Sequence, residues 1–149
     1  MFSGVFQHSI DAKGRTSLPA RFRELLSAQG ADKLFVTPDI FDDCLVAFPP
    51  GPWQELAQKI AQRSMFDRHI RDLTRAFIAP AQECPVDKLG RILIPPSLRE
   101  VARLGEEITW AGTVQRIEIW SPAKWAEVTK AARAPKNKDE LARRLSELL

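Results

Sequence analysis

Short apolar runs and turn signals alternate at the start of the chain. Val5-Phe6-Gln7-His8-Ser9-Ile10 and Arg15-Thr16-Ser17-Leu18 flank a turn and predict a pair of strands, with Gly14 supplying the positive φ of a tight connection. The period then becomes helical. Pro19 suits the first turn of a helix, where its missing N–H has no partner to lose; Phe22, Leu25 and Leu26 form an apolar face, and Gly30 is the stop. Two short strands follow at 34–37 and 44–48, then a helix opened by Pro52-Trp53 with Trp53, Leu56, Ala57 and Ile60 along one stripe.

The same order returns in the second half. Asp11-Ala12-Lys13-Gly14-Arg15-Thr16-Ser17-Leu18-Pro19 is answered 76 residues later by Asp87-Lys88-Leu89-Gly90-Arg91-Ile92-Leu93-Ile94-Pro95, with Arg23 and Arg99 in register. Pro95-Pro96, then Leu98, Val101 and Ala102, then Gly105 predict the second short helix. Strands at 107–111 and 115–120 precede a helix with Ser121 as N-cap, Pro122 at its first position, and Trp125, Val128 and Ala132 on its stripe. Cys44 to Pro49 with Trp53 answers Arg116 to Ser121 with Trp125 at an offset of 72, so the first copy holds about four extra residues in between. Repeated units of roughly 50 to 60 residues do not bury their apolar faces alone. The expectation is an α+β fold in which two half-units complete one another.

Between the repeats, Phe66, Ile70, Leu73 and Phe77 fall at helical spacing and predict a linker helix. Its Arg63, Arg68, Arg71 and Arg75 read first as a solvated face paired with Asp67 and Asp72, and second as a nucleic-acid contact. A final amphipathic segment, 139–149, carries Leu141, Leu145 and Leu148 on one side and could dock on its own domain or on a neighbour. The expected divisions are a first repeat at 5–53, a helical linker at 54–80, a second repeat at 81–125 and a helical tail at 126–149.

Composition narrows the class. A chain of 149 residues with 44% hydrophobic and 28% charged residues is long enough for one core and is not disordered by composition. No apolar run approaches a membrane span, and Met1-Phe2-Ser3-Gly4 lacks the order of a signal peptide, so a cytoplasmic protein with no membrane partner is expected. Cys44 and Cys84, in unlike contexts, read as reduced thiols; with only His8 and His69 besides, no zinc spacing exists, and neither metal nor cofactor is expected. Asp39, Asp42 and Asp43 have no histidine, serine or lysine partner at a catalytic spacing and read as a solvated loop. No catalytic residue, small-molecule substrate or enzymatic activity is expected.

The repeated turn carries the candidate chemistry. Asp leads a turn because its carboxylate accepts backbone N–H groups two residues on, and Gly closes it. Asp11 and Asp87 read first as braces for their own hairpins. Arg15 and Arg91 leave those turns at fixed places, and a guanidinium is shaped for bidentate contact with phosphate or a guanine edge. Lys13 and Lys88 add a second cation to each turn, and Arg21, Arg23, Arg99 and Arg103 widen the patch. The net charge of +3 permits a polyanion. The turns hold no aromatic residue, which favours duplex DNA over single strands.

Met1-Phe2 with Gly4, Asp11-x-Lys13-Gly14-Arg15, Leu18-Pro19, Cys44-Leu45 with Phe48-Pro49 and Trp53, and Asp87-x-x-Gly90-Arg91 with Leu93-Ile94 resemble the MraZ family of bacterial transcriptional regulators, from Met1 to about Trp125. The resemblance implies two tandem AbrB-like (SpoVT-AbrB) swapped-hairpin half-domains forming a small β-barrel-like core with peripheral helices. It also implies a nucleoid-associated repressor of the division and cell-wall gene cluster that includes its own gene, bound to short tandem promoter repeats as a ring-like homo-oligomer such as an octamer. By position the DNA-binding residues would be Asp11, Lys13, Gly14 and Arg15, with Asp87, Lys88, Gly90 and Arg91. The second turn departs from the first in carrying Lys88-Leu89 where the first has Ala12-Lys13. The alternative is an antitoxin-like interaction module of the AbrB/MazE type, working through its tail.

Overall fold

A computed structural model describes residues 1–149. β1 (Val5–Ser9) and β2 (Arg15–Ser17) flank the first turn, and α1 (Ala20–Ala28) starts directly after Pro19. β3 (Lys33–Pro38), β4 (Leu45–Phe48) and α2 (Pro50–Ala61) complete the first series. α3 (Arg68–Leu73) runs into a single π-helical turn (Thr74–Ile78). The second series is β5 (Gln82–Pro85), β6 (Arg91–Leu93), α4 (Pro96–Val101), β7 (Glu107–Thr113), β8 (Arg116–Trp120), α5 (Pro122–Ala132) and α6 (Pro135–Leu148).

The strands pair across the halves. Six of them form an antiparallel sheet in the order β1-β7-β8-β4-β3-β5, so that each edge strand lies against a strand of the other half. β2 and β6 form a separate ribbon in which Thr16 faces Ile92, Arg15 faces Leu93 and Ser17 faces Arg91. The 76-residue offset maps Thr16 onto Ile92, so a pseudo-twofold axis passes through that pair. The two strands expected around the first turn are thus present and joined tightly, but each finds its ladder in the other half, the swapped arrangement that the family resemblance implied.

Alternation along the strands sorts the core onto two faces. Leu34, Val36, Leu45, Ala47, Ile108, Trp110, Ile117 and Ile119 point to one side, where they meet Phe22 and Leu26 of α1, Leu98 of α4, and Leu18, Ile92 and Ile94 beside the ribbon. Val46 and Phe48 point to the other, against Trp53 of α2 and Phe77. The larger cluster draws on both halves throughout, and burial of each Leu or Ile is worth about 1.5–3 kcal/mol. Neither half keeps that core alone.

One expectation is made more specific and another is corrected. The core is barrel-like only in outline: the sheet is open at β1 and β5, and no closed barrel forms. The three-residue strands β2 and β6 direct their ladder at each other, and turns, not ladders, join them to the sheet edges. The linker is not one helix carrying Phe66. Asp67 caps α3 by accepting from the N–H of His69 (2.9 Å) and Ile70 (3.4 Å), which leaves Phe66 in the preceding turn, 98% exposed. Leu73 and Phe77 do pack inward. The π-helical turn follows from Ala79 N–H bonding to Thr74 O (2.8 Å), and Phe77 O then accepts from the buried Thr37 hydroxyl (2.5 Å).

Candidate nucleic-acid interface

Each repeated turn is built by the same five hydrogen bonds. In the first, Gly14 N–H donates to Asp11 O (2.9 Å) and Asp11 N–H to Arg15 O (3.0 Å). Asp11 Oδ1 accepts from the N–H groups of Lys13 and Arg15, both at 2.9 Å, and Oδ2 accepts from Arg15 Nε at 2.8 Å. The second turn repeats these bonds with Asp87, Leu89, Gly90 and Arg91, at 2.8–3.0 Å. Asp is required at the first position because its short carboxylate reaches two backbone donors and one guanidinium together.

Those donors favour the ionised carboxylate. The pKa of Asp11 is lowered to about 2, chiefly by the Arg15 N–H and then by its guanidinium. That of Asp87 is lowered too, led by the Arg91 N–H. The brace reading of the two aspartates therefore describes their geometry. It does not use up the arginines: only Nε is held, and the Nη groups of Arg15 and Arg91 make no hydrogen bond within the chain.

Register puts both guanidiniums on one surface. Thr16 and Ile92 are buried, so Arg15, Ser17, Arg91 and Leu93 project from the outer face of the ribbon. Arg15 and Arg91 are diagonal neighbours, on the order of 7–8 Å apart at Cα. Lys13 and Lys88 are exposed at the turns, and Leu89 occupies in the second turn the place of Lys13, 70% exposed.

The turns are held crosswise. Ile94 N–H donates to Gly14 O (2.8 Å) and Leu18 N–H to Gly90 O (2.9 Å). Arg23 of α1 reaches the second turn, donating to Lys88 O (3.4 Å), while Arg99 of α4 bonds Ile94 O (3.0 Å) beside Gly14. Sequence reasoning placed both arginines in a general basic patch and missed this role. Their shared register was the available signal, but not the partner each would find.

The other candidates disperse. Asp39 Oδ2 accepts from Asp42 N–H (3.1 Å) and Asp43 pairs with Lys124 (3.6 Å), and no three His, Cys, Asp or Glu side chains group to hold a metal ion. In the linker, Asp72 pairs with both Arg68 (3.4 Å) and Arg75 (3.9 Å). No helix is long and apolar enough to cross a membrane.

Comparison with known proteins gives the pattern a family context. The family model described as "MraZ protein, putative antitoxin-like" matches twice, at residues 1–76 and 77–147. A protein of Roseiflexus castenholzii named transcriptional regulator MraZ is 41% identical over 148 residues, 99% of each chain. A protein of the same name from Desulforamulus reducens is 42% identical over 149 residues, 100% of each chain.

Proposed function

This chain belongs to the MraZ family, and from that premise we propose that it is a non-enzymatic transcriptional regulator that binds duplex DNA through the β2–β6 ribbon and its two turns. One observation carries the reading: two guanidiniums, each anchored at Nε with its Nη groups unengaged, project from one two-stranded ribbon. The major groove admits such a ribbon, and the Nη pair of Arg suits the O6 and N7 acceptors of guanine. Asp11 and Asp87 set the direction of the arginines, Gly14 and Gly90 let the turns close, and Lys13 and Lys88 meet phosphates. Because the second turn carries Lys88-Leu89 where the first has Ala12-Lys13, the two turns place their lysine differently and read unlike half-sites.

Beyond DNA contact, the reading extends to repression of the division and cell-wall cluster that includes the protein's own gene, on tandem promoter repeats, by a nucleoid-associated ring-like homo-oligomer. The family resemblance supports this part. The antitoxin-like description supports a second reading, in which α6, with every residue from 138 to 149 exposed, is the binding element.

The two readings separate on the arginines. Arg15→Ala and Arg91→Ala are each expected to weaken duplex binding by about 1–3 kcal/mol if bidentate to guanine. Melting temperatures should change little, because an exposed, solvent-screened ion pair adds little to stability. DNA titration and thermal unfolding on the same samples measure both. Unchanged affinity would refute the interface, and collapse of the fold would make the Asp and Arg pairs purely structural.

A further inference from the structure

Each half extends a helical segment pair from the sheet, and only one pair is closed. In the first half, Trp53 of α2 lies against Phe48 of β4 with ring centroids 5.6 Å apart. The chain turns through residues 62–67, and Phe77 packs on both rings, at 5.7 and 6.2 Å. Leu56, Ile60 and Leu73 complete that cluster. The 72-residue offset carries Phe48, Trp53, Leu56 and Ile60 onto Trp120, Trp125, Val128 and Ala132, and the ring pair recurs at 5.7 Å. Its covering segment does not recur. α5 ends at Ala132, α6 begins at Pro135, and every residue from 138 to 149 is exposed.

α6 nevertheless has the sequence of a packed helix. Leu141, Leu145 and Leu148 lie at i, i+4 and i+7 and are 48%, 57% and 84% exposed. Arg143 bonds Glu140 and Glu147 on the side away from that stripe. A helix of 14 residues is marginal in water by itself, so its stability must come largely from packing. The seat offered by α5 is the half-buried pair Trp125 and Val128. Lys138 and Arg144 border the leucines.

We propose that α6 docks by its leucine stripe on α5 of a second copy of this chain, over Trp125 and Val128, and covers there what Phe77 and Leu73 cover within the first half. This deepens, and rests on, the self-association proposed above, and it identifies the joining surface. The template is internal: the chain already contains the closed version of the same helix pair. Arg133-Ala134 is a shorter connection than the 62–67 turn, and α6 leaves α5 with its leucines facing solvent.

Cysteine pairing in the full chain tests the contact. The native Cys44 and Cys84 do not interfere, being 1% and 2% exposed, with burial raising both thiol pKa values. On oxidation, a mixture of the single variants Leu145→Cys and Val128→Cys is expected to give a mixed dimer, whereas either variant alone gives far less. Leu141→Asp/Leu145→Asp is expected to lower the native mass toward a single chain without changing the far-UV circular dichroism. Absence of the mixed dimer would overturn the proposal. So would a Leu145→Cys homodimer through α6 against α6, an internal crosslink at monomer mass in the double cysteine variant, or an unchanged native mass as for a tail reserved for another protein. The Asp double variant keeps its affinity for a duplex holding one binding site. A failed docking test therefore leaves the arginine test standing, and loss of binding in Arg15→Ala leaves this one.

Discussion

Gly14 and Gly90 occupy equivalent places with φ of +92° and +79°, yet their surroundings differ. A Cβ on Gly14 would lie 2.6 Å from Ile94 O, a backbone atom fixed by the ribbon. A Cβ on Gly90 would meet Arg23 Nη1 at 2.6 Å, the far end of a flexible side chain. Both substitutions incur the left-handed penalty of about 1–2 kcal/mol, but only the first has a clash that cannot swing away. Gly14→Ala is therefore expected to melt clearly below Gly90→Ala. Equal melting temperatures would mean that the ribbon shifts freely at Ile94.

At the scale of the element, the turn is a small acid-sensitive device. Hydrogen bonds from Arg15 hold the Asp11 pKa at about 2, below the unfolded carboxylate value of about 4. A depressed carboxylate pKa contributes stability that is complete above the unfolded value and is lost as pH falls through the folded one. Wild-type protein should lose stability between about pH 4 and about pH 2. Asp11→Asn/Asp87→Asn, less stable at neutral pH, should show a shallower loss over that window. Melting curves taken across it provide the measurement, and parallel profiles would place the acid response elsewhere in the protein.

For the whole molecule, crosswise pairing makes the halves interdependent. Residues 1–76 contain β1 without β7 and β2 without β6. That fragment should show no cooperative melting as a monomer, and adding residues 77–149 should restore it; circular dichroism of each fragment and of the mixture decides. The proposed assembly adds a second dependence. One subunit offers two small basic turns, and nonspecific binding by such patches lies around ~10⁻⁴ to 10⁻⁶ M. Under that proposal, several subunits on tandem repeats would make later contacts intramolecular, with avidity gains on the order of 10² to 10⁴. On the proposed reading, inserting about five base pairs between two repeats turns the second site to the far side of the duplex and removes the gain. Gel shifts with one repeat, two in phase and two out of phase test this, and equal affinities would exclude the avidity mechanism.

The sequence by itself determined what is local or periodic. Each turn closes within the five residues from Asp to Arg, so residue types and spacing sufficed to place it, and the change from alternating to helical period located the main elements. The doubled motif also revealed that two units must share one core. Tertiary structure alone decided which strands pair, because the alternation in β1 and β2 suits a hairpin within one half as well as ladders to β7 and β6. It also decided that Arg23 and Arg99 brace the turns, since those contacts join residues distant in sequence. Phe66 fits the periodicity of the linker, but the Asp67 cap starts α3 two residues later, at Arg68, and leaves that ring in water. The leucine stripe of α6 was legible for a similar reason, as a pattern. Only the fold left it exposed, because amphipathicity specifies a face to be covered and says nothing of which surface will cover it.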